Sequence, residues 1–270
     1  MRQAARAALG IALVLGAAAS APAQTPAPAA QVPQAPDEPA PNPARPTVST
    51  PATLTPVGYL QFENGVLFAR TSGEFTSQLS FNQVTKLTVQ NRVELILQTE
   101  PYAHTVAGGQ SSNDFGGIGG GIQAVLVPGS GAKPTVSASY FHPINGGSAA
   151  SIDIGSADQS ALVLVSMDLG AFHVDTNAIF NQQSDDTHKA WQNGQTLSIS
   201  HPAGKTTIAV EVWRFSQPLL NGSCAGFLFA LSHPVGKFTV VDAGFNRGLT
   251  TTSTRWELFA GFTYLLPKKL

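Results

Sequence analysis

The stretch Phe172-His173-Val174-Asp175-Thr176-Asn177-Ala178-Ile179-Phe180-Asn181 alternates apolar with polar or small side chains almost throughout. Successive side chains of a β-strand point to opposite faces, so this period of two predicts a strand with one apolar and one polar face. The same alternation recurs at residues 93–97, 208–212, 225–231 and 256–264. No segment from Gly58 onward shows a convincing helical period. The sequence therefore predicts an all-β protein.

Extending this pattern along the chain predicts twelve strands and two kinds of connection. We predict strands near 58–69, 76–87, 92–103, 115–127, 134–143, 159–168, 171–182, 190–200, 205–216, 223–233, 237–247 and 254–266. Short turns alternate with longer polar loops between them. A period of two alone would also fit a secreted sandwich. An even strand number with short turns at one rim and long loops at the other is typical of outer-membrane barrels. We therefore predict an antiparallel transmembrane β-barrel of about 12 strands.

The charge content excludes several classes of function. Only 11% of the residues are charged, against about 25% in average globular proteins. With 15 Lys+Arg and 16 Asp+Glu, the chain lacks the basic surface that nucleic-acid phosphates attract, and we expect no nucleic-acid partner.

The single cysteine, Cys224, excludes an internal disulfide and a cysteine-cluster metal site. The six histidines show no metal-ligand spacing, and we expect no metal and no cofactor.

The first residues predict export from the cytoplasm. Arg2 and Arg6 precede an apolar run at 7–19 and the small residues Ala21-Pro22-Ala23. This order is typical of a secretory signal peptide, which we expect to occupy 1–23 and to be cleaved after Ala23. A membrane-anchor helix is the alternative, but a spanning helix needs about 20 apolar residues and this run is shorter.

Residues 24–56 are dominated by Pro, Ala, Thr and Gln. Such a segment buries too little apolar surface to offset its conformational entropy, and proline keeps it extended. We expect a disordered spacer at 24–56, followed by the barrel at 57–270.

The placement of charge favours a barrel in lipid over one in water. The apolar face carries aromatic residues at its ends (Tyr59, Phe68, Trp191, Tyr264), and the polar face carries isolated charges. In a membrane barrel the apolar face contacts lipid and the polar face lines the lumen. The predicted lumen-lining residues are Glu63, Lys86, Arg92, Glu94, Glu100, Asp175, Glu211, Asp242, Arg255 and Glu257. We expect the protein in the outer membrane of a Gram-negative-type bacterium, in contact with lipid.

The last predicted strand carries a second indication of this location. Residues 261–266, Gly-Phe-Thr-Tyr-Leu-Leu, resemble the signal that outer-membrane proteins present to the barrel-assembly machinery. We therefore expect that machinery to be a partner during insertion.

Residues 86–95, Lys-Leu-Thr-Val-Gln-Asn-Arg-Val-Glu-Leu, resemble a hairpin of the family labelled putative MetA-pathway of phenol degradation. The glycine-rich residues 115–121, after Asp114, are similar to another strand start of that family. Gln90 and Asn91 replace the Thr and Asp of the family turn. The resemblance spans roughly 57–266 and implies an outer-membrane barrel, often labelled a transporter and linked to the breakdown of aromatic compounds.

The expected function is a passive, porin-like channel or transporter for small solutes, which the resemblance extends to aromatic or apolar compounds. A structural or adhesive barrel without an open pore is the alternative. An outer-membrane lipid hydrolase is a further and weaker alternative. Residues 142–146, His142-Pro143-Ile144-Asn145-Gly146, have Ile144 where such an enzyme needs a nucleophilic serine. We expect no catalytic residues.

Overall fold

The structure is a computed structural model that describes residues 39–149, 157–184, 188–220 and 222–270. The predicted signal peptide at 1–23 and the first part of the predicted spacer, 24–38, lie outside the described residues.

Thirteen antiparallel strands form one sheet. They are β1 Leu60–Arg70, β2 Ser77–Gln90, β3 Val93–Ala107, β4 Gln110–Asp114, β5 Gly117–Val127, β6 Thr135–Gly146, β7 Gln159–Leu169, β8 Phe172–Ser184, β9 Lys189–Ala203, β10 Thr206–Gln217, β11 Gly222–Pro234, β12 Thr239–Gly248 and β13 Trp256–Leu265. A single 3-10 turn occurs within the described ranges, at Pro218–Leu220. None of the helical structure described is long and apolar enough to cross a membrane.

The sheet closes on itself into a barrel of twelve strands. β1 pairs with both β2 and β13, and each following strand pairs with its neighbour in the chain, except that β3 pairs with β5. The short β4 pairs only with the end of β3, from Ala103↔Asp114 to Ala107↔Gln110. The closed ring leaves no strand edge between β1 and β13, although the β6–β7 ladder covers only residues 135–141 of β6.

The predicted fold class is confirmed, with one addition. Each predicted strand is present, and the short turns and long loops lie at opposite rims, which we call the short-turn rim and the long-loop rim. β4 lies where the sequence predicts a loop, at 104–114. Its pattern is polar throughout, Gln-Ser-Ser-Asn-Asp, because this hairpin lies at the rim and has no apolar face to bury.

The two faces of the wall have opposite chemistry. Large apolar side chains such as Phe68, Leu97, Val212 and Leu258 are exposed on the outer surface. Polar side chains point inward and are buried, among them Gln61, Glu63, Lys86, Thr88, Glu94, Gln123, Gln192, Thr196 and Glu211. A protein folded around an apolar core would show the reverse arrangement. The barrel therefore has the inside-polar, outside-apolar order of a membrane barrel.

Residues 39–56 differ from the expectation of a disordered spacer. They belong to the same compact unit as the barrel and form hydrogen bonds to its inward side chains from Asn42 to Thr55. A composition low in apolar residues indicates disorder where order depends on apolar burial. Here the partner surface is polar, and hydrogen bonds to the lumen wall order a segment that has little apolar surface.

Candidate functional site

Most of the predicted lumen-lining residues do face the interior. Glu63, Lys86, Glu94, Glu211, Asp242 and Glu257 are buried, while Glu100 and Asp175 are partly buried. Glu63 and Lys86 form an ion pair across β1 and β2, with Lys86 Nζ 2.5 Å from Glu63 Oε1.

Arg92 and Arg255 are placed differently from the prediction. Arg92 lies in the turn between β2 and β3 at the short-turn rim, and Arg255 lies in the loop before β13 at the long-loop rim. Both are exposed. A sequence pattern fixes strand ends only to within a few residues, so it does not distinguish a charge on the wall from one in the adjoining turn or loop.

The main feature of the lumen is residues 42–55, a segment with turns and bends outside the wall strands, which we call the hoop. Its hydrogen-bond partners follow the barrel wall around an almost complete circuit. They are Gln61 and Glu63 on β1, Asp242 on β12, Glu211 on β10, Thr196 on β9, Asn177 on β8, Ser166 on β7, Ser137 on β6, Gln123 on β5, Glu94 on β3 and Thr88 on β2. The hoop thus runs along the inside of the wall and returns to β1.

The length of the hoop is consistent with this path. A wall of twelve strands about 4.8 Å apart and tilted by about 40° has a circumference of about 75 Å. Fourteen residues span at most about 50 Å when fully extended, and the turns and bends at 45–49 and 52–53 make the hoop shorter than that. A closed ring of this length has a radius of at most about 8 Å, so it lies inside the wall by at least roughly the length of a side chain. The hoop therefore narrows the lumen.

Backbone N–H groups of the hoop donate to acceptors on the wall. Val48 N and Ser49 N donate to the two carboxylate oxygens of Glu211, each at 2.7 Å, and Thr55 N donates to Glu94 Oε2 at 2.9 Å. Asn177 makes a reciprocal pair with Thr50, accepting from its N–H at 2.6 Å and donating to its carbonyl at 2.9 Å. Hydrogen bonds to charged acceptors are stronger than neutral ones, so these carboxylates are the main anchors.

The prolines of the hoop reduce the number of backbone N–H groups that need a hydrogen-bond partner outside a β-ladder. Pro43, Pro46 and Pro51 lie within the hoop and have no N–H to satisfy. Seven other hoop N–H groups donate to wall side chains instead of a neighbouring strand, those of Asn42, Ala44, Val48, Ser49, Thr50, Ala52 and Thr55. A proline-rich segment is thus well suited to line a polar wall with few unpaired backbone groups.

Arg45 anchors the first half of the hoop in a notch of the wall. Its guanidinium donates to both oxygens of Asp242, at 3.0 and 3.3 Å. The notch exists because Gly65 and Gly261, paired across β1 and β13, have no side chains. A Cβ at Gly261 would lie 2.8 Å from Arg45 Nε.

An apolar cluster interrupts the polar interior beside the hoop. Ile179, Trp213, Phe215 and Cys224 are buried together, and Val48 of the hoop packs against them. Trp213 Nε1 donates to Asn246 Oδ1 at 2.8 Å. The sequence analysis does not single out these residues. The signal that could have placed Trp213 and Phe215 inside the barrel is their alternation phase, which is that of the inward Glu211.

The half of the barrel near the long-loop rim contains an open recess of about 560 Å³. It is lined by polar side chains that include Gln98 and Glu100 on β3, and by the glycine-rich β5. Beyond Gly119 the Cβ direction meets only the carbonyl of His142, at 3.7 Å. A Cβ at Gly121, in contrast, would collide with the Phe141 ring, so the glycine run leaves open space at Gly119 and receives an aromatic ring at Gly121. The register of β5 against β6 shifts between Ile118 and Gly119.

Asp175 links the hoop to the short-turn rim. Ala52 N donates to Ser166 Oγ, and Ser166 Oγ donates in turn to Asp175 Oδ1. His173 lies between Asp175 and Asp168, with Nε2 3.3 Å from the former and Nδ1 2.6 Å from the latter. Asp175 therefore has Ser166 as its partner towards the hoop and His173 as its partner towards the short-turn rim.

No family model and no curated protein matches this chain, so the resemblance to the MetA-pathway family is not confirmed by a family match. Solved structures do match. An outer-membrane channel from Pseudomonas putida F1 is similar with a TM-score of 0.57 and 12% identity over 80% of this chain and 98% of that one. The NanC porin is similar with a TM-score of 0.53 and 11% identity over 77% of this chain and 100% of that one. At these identities the likeness concerns the fold. The chain has the fold of outer-membrane β-barrels.

Proposed function

We propose that the protein is an outer-membrane channel for small solutes, through which passage is passive. The observation that carries the proposal is the polarity of the barrel: buried carboxylates, amides and hydroxyls line the interior, and apolar side chains cover the exterior. Such a wall is stable in lipid and encloses a path that water and polar solutes can wet.

Solutes would enter this path at the long-loop rim and meet the hoop near the short-turn rim. The recess beside Gln98 and Glu100 is open, while the other half of the lumen holds the hoop. A lumen narrowed to this degree restricts passage to small molecules, because the bore of a twelve-stranded barrel is already limited.

The proposal extends to location and processing. The apolar exterior supports insertion into the outer membrane, with the barrel-assembly machinery as the partner in that step and cleavage after Ala23 beforehand. Aromatic or apolar compounds are the proposed solutes; this finer assignment is supported by the resemblance of residues 86–95 to the MetA-pathway hairpin.

A structural barrel that conducts nothing is the second candidate. It is favoured by one observation, the attachment of the hoop to strands all around the wall. If the hoop fills the lumen at its level, the barrel is sealed.

Liposome swelling separates the two candidates. Vesicles containing the purified full chain are diluted into isotonic solutions of neutral solutes of increasing size, including a phenolic compound. A channel predicts swelling rates that fall with solute size and exceed those of empty vesicles. Rates equal to those of empty vesicles for every solute would support the sealed barrel and contradict the channel. Equal rates for phenolic and sugar-like solutes of one size would contradict the aromatic preference alone.

A further inference from the structure

Three wall carboxylates use hoop atoms as partners. Glu211 accepts from Val48 and Ser49, Glu94 accepts from Thr55, and Asp242 accepts from Arg45. Their exposed fractions are only 2%, 2% and 6%. A fourth acid, Glu63, accepts from Ala44 but also pairs with Lys86 of the wall. Without the hoop, Glu63 would keep a cationic partner and the other three would not.

These acids share one region of the lumen. Asp242 is the fourth residue of β12, Glu94 the second of β3, and Glu211 the sixth of β10, each counted from the short-turn rim. Glu211 and Asp242 lie on strands that are separated only by β11, and Glu94 lies farther around the wall. All three contact the hoop, and acidic side chains that line a pore make it selective for cations.

We infer that the hoop sets the ion selectivity of the channel by covering Glu94, Glu211 and Asp242. The inference rests on the proposed channel function and adds a specificity-determining element to it. With the hoop in place, Glu211 and Glu94 accept hydrogen bonds from hoop N–H and hydroxyl groups, and Asp242 pairs with the positive charge of Arg45. With the hoop removed, Glu94, Glu211 and Asp242 face the lumen and attract cations.

The formal charges show in which direction the hoop changes the ion selectivity. The four acids and Lys86 of the wall carry a net charge of −3, which Arg45 reduces to −2. Burial adds to this effect, because a mobile ion in the lumen cannot approach a carboxylate whose oxygens are covered by hoop atoms. The hoop therefore lowers the preference for cations more than the single charge of Arg45 would.

Reversal potentials in planar bilayers under a potassium chloride gradient test the inference. The proteins are the full chain, a variant that lacks residues 39–55, and that deletion combined with Glu94→Gln, Glu211→Gln and Asp242→Asn. The deletion combined with Glu74→Gln, which removes an exposed acid of the β1–β2 loop, is the matched control. Resistance to sodium dodecyl sulfate before heating checks that each barrel is folded.

The deletion is expected to raise the ratio of potassium to chloride permeability by roughly threefold or more. The triple substitution should return the ratio to the full-chain value or below it, and Glu74→Gln should not. If the deletion does not fold, Arg45→Gln and Arg45→Lys in the full chain replace it. Arg45→Gln should raise the ratio because it uncovers Asp242, and Arg45→Lys should preserve it.

The two hypotheses fail differently. Ionic current in the full chain with one permeability ratio for all variants would overturn the inference and leave the channel function intact. The absence of current from every folded variant would overturn the channel function and the inference together.

Discussion

Arg45 occupies a position that only two glycines make possible. Gly65 and Gly261 supply bare backbone on adjacent strands, and Asp242 supplies the carboxylate that receives the guanidinium. Arg45 is partly exposed, but the side chain of Asp242 is only 2% exposed. A buried carboxylate that loses its partner costs far more than an exposed one, so the pair should couple strongly.

We predict this coupling from a double-mutant cycle of Arg45→Gln and Asp242→Asn. Each single variant should lose about 1–3 kcal/mol of unfolding free energy, and the double variant should lose less than the sum by about 1 kcal/mol or more. Urea unfolding in lipid vesicles, followed by tryptophan fluorescence, measures these values. The exposed pair Lys189 and Asp158, whose charged atoms are 3.9 Å apart, is the control cycle and should show little coupling. Equal coupling in the two cycles would contradict the buried-anchor account.

Glu211 is the strongest single acceptor for the hoop. Glu211→Gln keeps the shape but replaces one acceptor oxygen with an amide that donates, so one of the Val48 and Ser49 N–H groups loses its partner. We predict a loss of about 1–3 kcal/mol in unfolding free energy. The exposed Glu74→Gln should change it by less than about 0.5 kcal/mol. Urea unfolding reports both, and a Glu211→Gln variant as stable as Glu74→Gln would show that the hoop is not held at this point.

At the scale of elements, the wall strands could be predicted from the sequence because their pattern is local. The alternation of residues 172–181 reports both the strand and its two faces. The alternation cannot report which face is inside. That depends on the solvent, and it is visible only in the structure, for example in the exposed Val212 beside the buried Glu211.

The hoop could not be predicted in the same way. Residues 42–55 have no period and little apolar surface, and their partners lie up to 197 residues away, as in the Arg45–Asp242 pair. Composition therefore indicates a spacer, while the order comes from side chains of other strands. In the wall sequence, the contact with Arg45 is indicated only by two inward glycines at paired positions, Gly65 and Gly261.

Close packing of aromatic rings over inward glycines gives a prediction for β11. A Cβ at Gly226 would lie 2.7 Å from the Arg247 carbonyl oxygen and would meet the Trp213 ring, whereas a Cβ at Gly146 has no atom within 4 Å. Gly226→Ala should therefore cost about 1–3 kcal/mol by overpacking. Gly146→Ala, also in a strand, should cost much less. Thermal shift of the detergent-solubilised barrel compares the two, and equal shifts would contradict the packing described.

At the scale of the whole molecule, the exposed apolar surface requires an apolar solvent. Val212 lies near the middle of β10 with 55% of its surface exposed. A lysine at a lipid-facing position near the bilayer midplane costs about 2–4 kcal/mol. We predict this loss for Val212→Lys in lipid vesicles, and almost none for Thr251→Lys in the exposed loop before β13. Equal stability of the two variants would show that this face does not contact lipid.

The proposed function requires a lumen that conducts and a hoop that narrows it. The most direct measurement is the single-channel conductance of the full chain and of the variant lacking residues 39–55, in planar bilayers at the same salt concentration. The account predicts discrete steps from the full chain and clearly larger steps from the deletion, because the hoop occupies part of the pore section. Equal steps from the two proteins would contradict the placement of the hoop in the conducting path, and silence from both would contradict the channel itself.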